Sequence, residues 1–161
     1  MSQRGGLDFS VLLASLLDLT LSVQHARWNC YGAGFRDLYA HLLEVTDEVR
    51  SMTDTIAEHS VASGVSPDGR SRSIVARSAL PPLSPGPILV DVAIAEVAAA
   101  IDQLLDQGRR DLAAIRASDH VAHAILVTMV AALERHRWMF VAEFSAEPPA
   151  SPAGPGNDGD A

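Results

Sequence analysis

GVSPDGRSRSIVARSALPPLSPGP, residues 64 to 87, is rich in Gly, Pro and Ser and closes on Pro81, Pro82, Pro85 and Pro87. It cannot continue a long helix, because each proline lacks an amide hydrogen and crowds the preceding turn. Inside it, Ser73 followed by Ile-Val-Ala-Arg-Ser-Ala-Leu reads as one or two helical turns. Antiparallel neighbouring helices need only short joints. A connection this long suits a bundle whose second and third helices run parallel.

The flanking segments read as long helices. From Leu7 to about Cys30, Phe9, Leu13, Leu16, Thr20 and Val23 fall on one helical face, which Arg27 continues. After the break Tyr-Gly-Ala-Gly, apolar positions recur in steps of three and four at Phe35, Leu38, Leu42, Val45, Val49, Met52 and Ile56, a bundle seam reaching about Ala62. Beyond the crossover, Ile94, Val97, Ile101, Leu104, Leu105, Leu112 and Ile115 mark a helix over about Val90 to Arg116, with Gly108 expected to loosen its middle. Ser118 or Asp119 reads as an N-cap for a last helix carrying Val121, Ile125, Met129, Leu133, His136 and Phe140. The predicted organisation is an N-terminal arm at 1–7, one all-α domain at 8–145, and an acidic Pro/Gly/Ala tail at 146–161 that cannot bury a face and is expected to be disordered.

Composition agrees. Apolar residues are 48% and aromatics 5% of the 161 residues, with few strand-like alternations. The net charge of -8 disfavours nucleic acid and anionic lipid, which need clustered cations. All 12 cations are Arg, and the tail carries Glu147, Asp158 and Asp160 with none, so DNA is not an expected partner; Arg70, Arg72 and Arg77, or Arg109 and Arg110, are the patches that would argue otherwise. Cys30 is alone and reads as a small packed side chain. No signal peptide and no membrane span is read, and the expected location is the cytoplasm.

Four local motifs then point one way. Trp28-Asn29-x-x-Gly32-x-x-Phe35, Asp54-Thr-Ile-Ala-Glu58, Ser66-Pro-Asp-Gly-Arg70 with Ser73-Ile-Val-Ala-Arg-Ser-Ala-Leu-Pro81, and Arg137-Trp-Met-Phe140 together resemble the Dps mini-ferritins, the DNA-binding proteins from starved cells. The resemblance runs from about residue 8 to 145. It implies a ferritin-like four-helix bundle with a short helix in the crossover between helices 2 and 3, assembled from dimers into a hollow dodecamer; twelve copies of 17.1 kDa make about 205 kDa. It also implies iron as the cargo, oxidised at dimer interfaces, usually by peroxide, and stored as mineral. Each such site takes two His and an Asp from one subunit and an Asp and a Glu from its mate.

Carried over residue by residue, those ligands are only partly present. The first His falls on Arg27, the second on Tyr39 and the first carboxylate on Leu43, while the mate's pair survives as Asp54 and Glu58. His25 and His41 lie two residues from the vacated positions, a rotation of about 200° on a helix, so they face the opposite side. A guanidinium is permanently charged and repels a metal cation. Arg27 is therefore expected to take the cation's place, paired with Asp54 and Glu58 of a second copy, or else to reach solvent at the helix end. The implied ferroxidase is impaired or lost, leaving three readings: slow iron sequestration, an inactive subunit mixed with an active paralogue, or a structural protein without metal chemistry.

Two further groups stand apart. Asp37, His41, Glu44 and Glu48 share a helical stripe with the spacing of a secondary metal site, although a solvated face is the commoner meaning. Asp119, His120 and His123 open the last helix, where the family resemblance places pores that admit ferrous ions; ordinary first-turn residues are the alternative. No Glu-x-x-His occurs, which disfavours a di-iron site within one bundle. His59 and His136 read as structural.

Overall fold

The computed structural model describes residues 8–115 and 119–144. The expected arm at 1–7, the tail at 146–161 and the alternative cap Ser118 lie outside the described residues. Four long helices, α1 (Ser10–Asn29), α2 (Phe35–Ala62), α4 (Val90–Ala114) and α5 (His120–Phe144), form the bundle, and a short α3 (Ser71–Arg77) sits in the crossover. This is the all-α architecture expected, with boundaries within three residues of those read from periodicity.

The chain order follows from how each helix stops. At Cys30 the backbone turns extended, and Gly32 and Gly34 then take φ of 116° and 77°, a left-handed region that other residues resist. That sharp reversal lets α2 start at Phe35 and pack back along α1. Two short strands went unread in the sequence: β1 (Cys30–Tyr31) pairs in parallel with β2 (Ile88–Leu89), Cys30 opposite Ile88. The pairing sets the start of α4 beside the end of α1. The crossover must therefore return along the bundle, and α2 and α4 run parallel.

Polar clasps hold the crossover down. The Ser78 hydroxyl donates to Asp18 of α1, and the Ser84 amide (2.9 Å) and hydroxyl donate to Glu96 of α4. His25 Nε2 donates to the Ser84 carbonyl at 3.0 Å while Asn29 Nδ2 donates to His25 Nδ1 at 3.2 Å. His25 is thus a fastening residue of the crossover. Just ahead of α3, Asp68 accepts from Arg70 Nε at 2.9 Å and the Ser73 hydroxyl at 2.6 Å, and these bonds hold its carboxyl well below the usual range.

The core runs through Leu12, Leu16 and Leu19 of α1, Leu38, Leu42 and Val49 of α2, Ile101 and Leu104 of α4, and Leu126, Leu133 and Phe140 of α5. Thr46, Thr53 and Ser60 recur every seventh residue on the buried side of α2. Each donates its hydroxyl to the carbonyl four residues back at 2.7–2.8 Å, so none is left unpaired.

Gly108 corrects an expectation. It does not loosen α4, which runs unbroken through it; it is buried where α5 comes close, and a Cβ there would lie 2.8 Å from Met129 Cε and 2.9 Å from Val130 Cγ2. Gly108→Ala should therefore destabilise the protein by about 1–2 kcal/mol, overpacking outweighing the roughly 1 kcal/mol of helix propensity gained. Urea unfolding checks this; a stabilised variant would mean that the α4–α5 contact yields easily.

Candidate functional site

Arg27 lies in the last turn of α1 against the first turns of α2. Its Nε is buried without a hydrogen-bond partner among the described residues, and its guanidinium carbon stands 5.3 Å from the centre of the Tyr39 ring. That is a cation–π contact, which orients the charge without neutralising it. Tyr39 in turn leans on Phe35, ring centres 5.7 Å apart. Trp28 (68% exposed), Tyr31, Phe35, Tyr39 and Leu43 are all exposed large apolar side chains at the end of α1 and the start of α2. Cys30 is buried, its thiol pushed up by burial and directed at the Arg27 carbonyl.

Asp54 and Glu58 occupy the exposed side of α2, and among the described residues neither makes an ion pair or side-chain hydrogen bond. Counting from Tyr39, they are fifteen and nineteen residues along the helix, about 22–28 Å at 1.5 Å per residue. Arg27 of the same chain cannot reach them. Any site that joins the two groups has to be shared between copies.

His41 does not follow its neighbours. The stripe of Asp37, Glu44 and Glu48 was expected to be solvated as a whole, but His41 is only 3% exposed, with Phe140 ring to ring at 4.2 Å. The physical reason is register: Leu38 and Val45, three residues before and four after it, are core positions, and His41 falls between them. Its Nε2 lies 3.2 Å from His136 Nδ1, and His136 Nε2 lies 2.6 Å from a Glu48 oxygen, which Arg135 also contacts. With Glu48 ionised, His136 donates from Nε2, its Nδ1 accepts, and His41 donates from Nε2. Asp37 and Glu44 remain exposed. Among the described residues no three His, Cys, Asp or Glu are placed to hold a metal within one chain.

At the other end, the Asp119 carboxylate accepts the Ala122 amide at 3.1 Å and caps α5, the role read from sequence. His120 and His123 are exposed in the first turn. His59 packs edge-on to Phe9, ring centres 5.9 Å apart, beside a cavity of about 50 Å³ that Asp8, Asp68, Arg77 and Asp119 also line. Of the arginine patches, Arg70 is held by Asp68, and Arg109 is 2.9 Å from Glu134. No described helix is long and apolar enough to cross a membrane.

Comparison with known proteins fixes the class. The ferritin-like domain model matches residues 10–146. The chain belongs to the ferritin-like family. Within it, the chain is similar to Dps proteins. It is 34% identical over 82 residues to DNA protection during starvation protein 2 of Deinococcus radiodurans, covering 51% of this chain and 34% of that one. It is 40% identical over 63 residues to the fine tangled pili major subunit of Haemophilus ducreyi, covering 39% and 33%. Both matches span about a third of the relative's length. The crystal structure of Dps92 from Deinococcus radiodurans superposes with a TM-score of 0.82 at 23% identity, covering 87% of this chain and 85% of that one.

Burial lowers the pKa of both His41 and His136, with the Glu48 carboxylate pulling His136 the other way. A ring that resists protonation when folded but not when unfolded contributes stability above the unfolded value near 6.5, lost as pH falls toward the folded value. The unfolding free energy from urea titration should be level above about pH 7.5 and decline below 6.5, by up to about 1.4 kcal/mol per pH unit for each ring. His136→Gln keeps a donor and an acceptor while removing one titrating group, and should flatten that decline by about half. An unchanged slope would exclude His136 as its source.

Proposed function

We propose that this chain is a subunit of a Dps-like mini-ferritin cage that sequesters iron and protects against oxidative stress, with its interfacial ferroxidase impaired or lost. The ferritin-like match over residues 10–146 supports the cage, and the resemblance implies twelve subunits built from dimers in the cytoplasm. One observation supports the loss of activity: Arg27 rests its guanidinium on the Tyr39 ring, and it, Tyr39 and Leu43 stand at the positions where the resemblance implies His, His and Asp. Of the implied ligand positions, Asp54 and Glu58 alone keep a carboxylate, and two carboxylates are too few to hold a pair of ferrous ions. Iron is then cargo, held by carboxylates and mineralised slowly. DNA and membranes are not proposed partners.

A second reading rests on those same two residues. Exposed, and unpaired among the described residues, Asp54 and Glu58 could complete a site on a different subunit that retains its own His and Asp. In a mixed cage this chain would supply half of each centre that it shares.

Ferrous loading under air and under peroxide tests the storage reading: uptake of many irons per particle above a protein-free blank is expected, and none would leave a structural role. The combined change Arg27→His, Tyr39→His and Leu43→Asp should raise peroxide-driven ferrous oxidation at least tenfold. A triple variant that assembles and stays inert would show that these three positions are not the vacated ligand set.

A further inference from the structure

The exposed side of α2 carries a pattern that the bundle does not use. Arg36, Tyr39, Leu43, Asp47, Arg50, Asp54, Glu58 and Val61 are all exposed and follow one another at steps of 3, 4, 4, 3, 4, 4 and 3. The steps place them on one stripe of the helix. They also read the same in either direction, about a centre between Asp47 and Arg50. None of the five charged residues makes an ion pair or side-chain hydrogen bond among the described residues.

We infer that this stripe is an interface between two antiparallel copies of the chain, in which Arg27 stands between Asp54 and Glu58 of the second copy as a built-in cation. The inference rests on the reading of the chain as a self-assembling subunit and names the counter-ions of its altered centre.

Charge decides both direction and register. Parallel copies would set Arg36 on Arg36 and Asp54 on Asp54. Antiparallel copies centred between residues 47 and 50 instead pair Asp47 with Arg50 twice, Tyr39 with Glu58, Leu43 with Asp54, and Arg36 with Val61. Moving the centre onto Asp47 or onto Arg50 brings like charges face to face. Arg27, already seated on Tyr39, then meets Glu58 of the other copy with Asp54 one turn away. Its Nε is buried with no acceptor among the described residues, and two carboxylates satisfy the guanidinium by charge-assisted hydrogen bonds. Closing the face also covers Tyr39 and Leu43, so the pairing forms in a partly desolvated place where losing one member is costly.

Sedimentation equilibrium of the full chain in excess EDTA tests this. Arg50→Asp alone, or Asp47→Arg alone, should weaken association about a hundredfold or more by placing like charges on the dyad, and the double swap should recover most of the loss. Arg27→Met and Glu58→Gln should each weaken it about thirtyfold or more, and combining them should add little. All these side chains are at the surface or partly exposed, and circular dichroism identifies any variant that fails to fold. Single reversals without effect, or a swap that recovers nothing, would overturn the interface. Wild-type protein that dissociates on adding EDTA would show that a bound metal, and not Arg27, is the cation. Iron uptake is measured separately, so a cage that stores no iron yet responds to the swap rejects the storage reading and keeps this one.

Discussion

Everything in this molecule's layout depends on the return of the chain along the bundle. Two residues at the end of α1 pair with two at the start of α4, Cys30 beside Ile88 and Tyr31 beside Leu89. Without that closure, α4 could begin at either end. With it, the crossover is stretched over the bundle's length, fastened by Ser78 to Asp18 and by Ser84 to Glu96 and His25. Four prolines keep the strap from recoiling into a helix that would pull it short.

Among the described residues, that layout leaves the outer side of α1 and α2 with no element over it. The strap and α3 take one part of α1, α4 and α5 take the inner faces, and the stripe from Arg36 to Val61 stays bare. A helix face bearing Tyr39, Leu43 and Val61 among five charges that are unpaired among the described residues is a poor final surface, because the apolar groups gain nothing from water and the charges lack fixed partners there. Burying such a face without its charges matched would cost more than it returned. A partner with the same face turned end for end matches Asp47 with Arg50 twice and brings Arg27 to Asp54 and Glu58, leaving Arg36 alone at the rim beside Val61.

Helix number, helix limits and the parallel course of α2 and α4 were legible in the sequence because each rests on period or on the length and proline content of one segment. The β1–β2 pairing was not, since two residues carry no period. His41 was misplaced for an instructive reason. Asp37, Glu44 and Glu48 drew it into a polar stripe, while Leu38 and Val45 placed it at the edge of the core, and the second signal is the one that held. His136, assigned to the interior from its spacing to Leu133 and Phe140, is where that spacing puts it. What no spacing could reveal was that the two rings meet. Gly108 shows the same limit: propensity speaks of the isolated helix, whereas the close approach of Met129 and Val130 belongs to tertiary packing.

The contrast between Arg27 and a bound metal has a kinetic side as well as a structural one. Ferrous ions arrive, change charge on oxidation and leave as mineral, so a site that handles them must be stable when empty and tolerant when full. A guanidinium does none of this: it never titrates under physiological conditions, never changes oxidation state and never dissociates. On the proposed reading the interface therefore gives up turnover and gains a charge that is always present, whatever the supply of iron. The same substitution keeps Asp54 and Glu58 occupied with a partner that redox chemistry cannot remove. Tyr39 and Leu43 fit that outcome, because a ring for the cation to rest on and an aliphatic wall beside it favour a held guanidinium, and neither replaces the imidazole and carboxylate that a ferrous site uses.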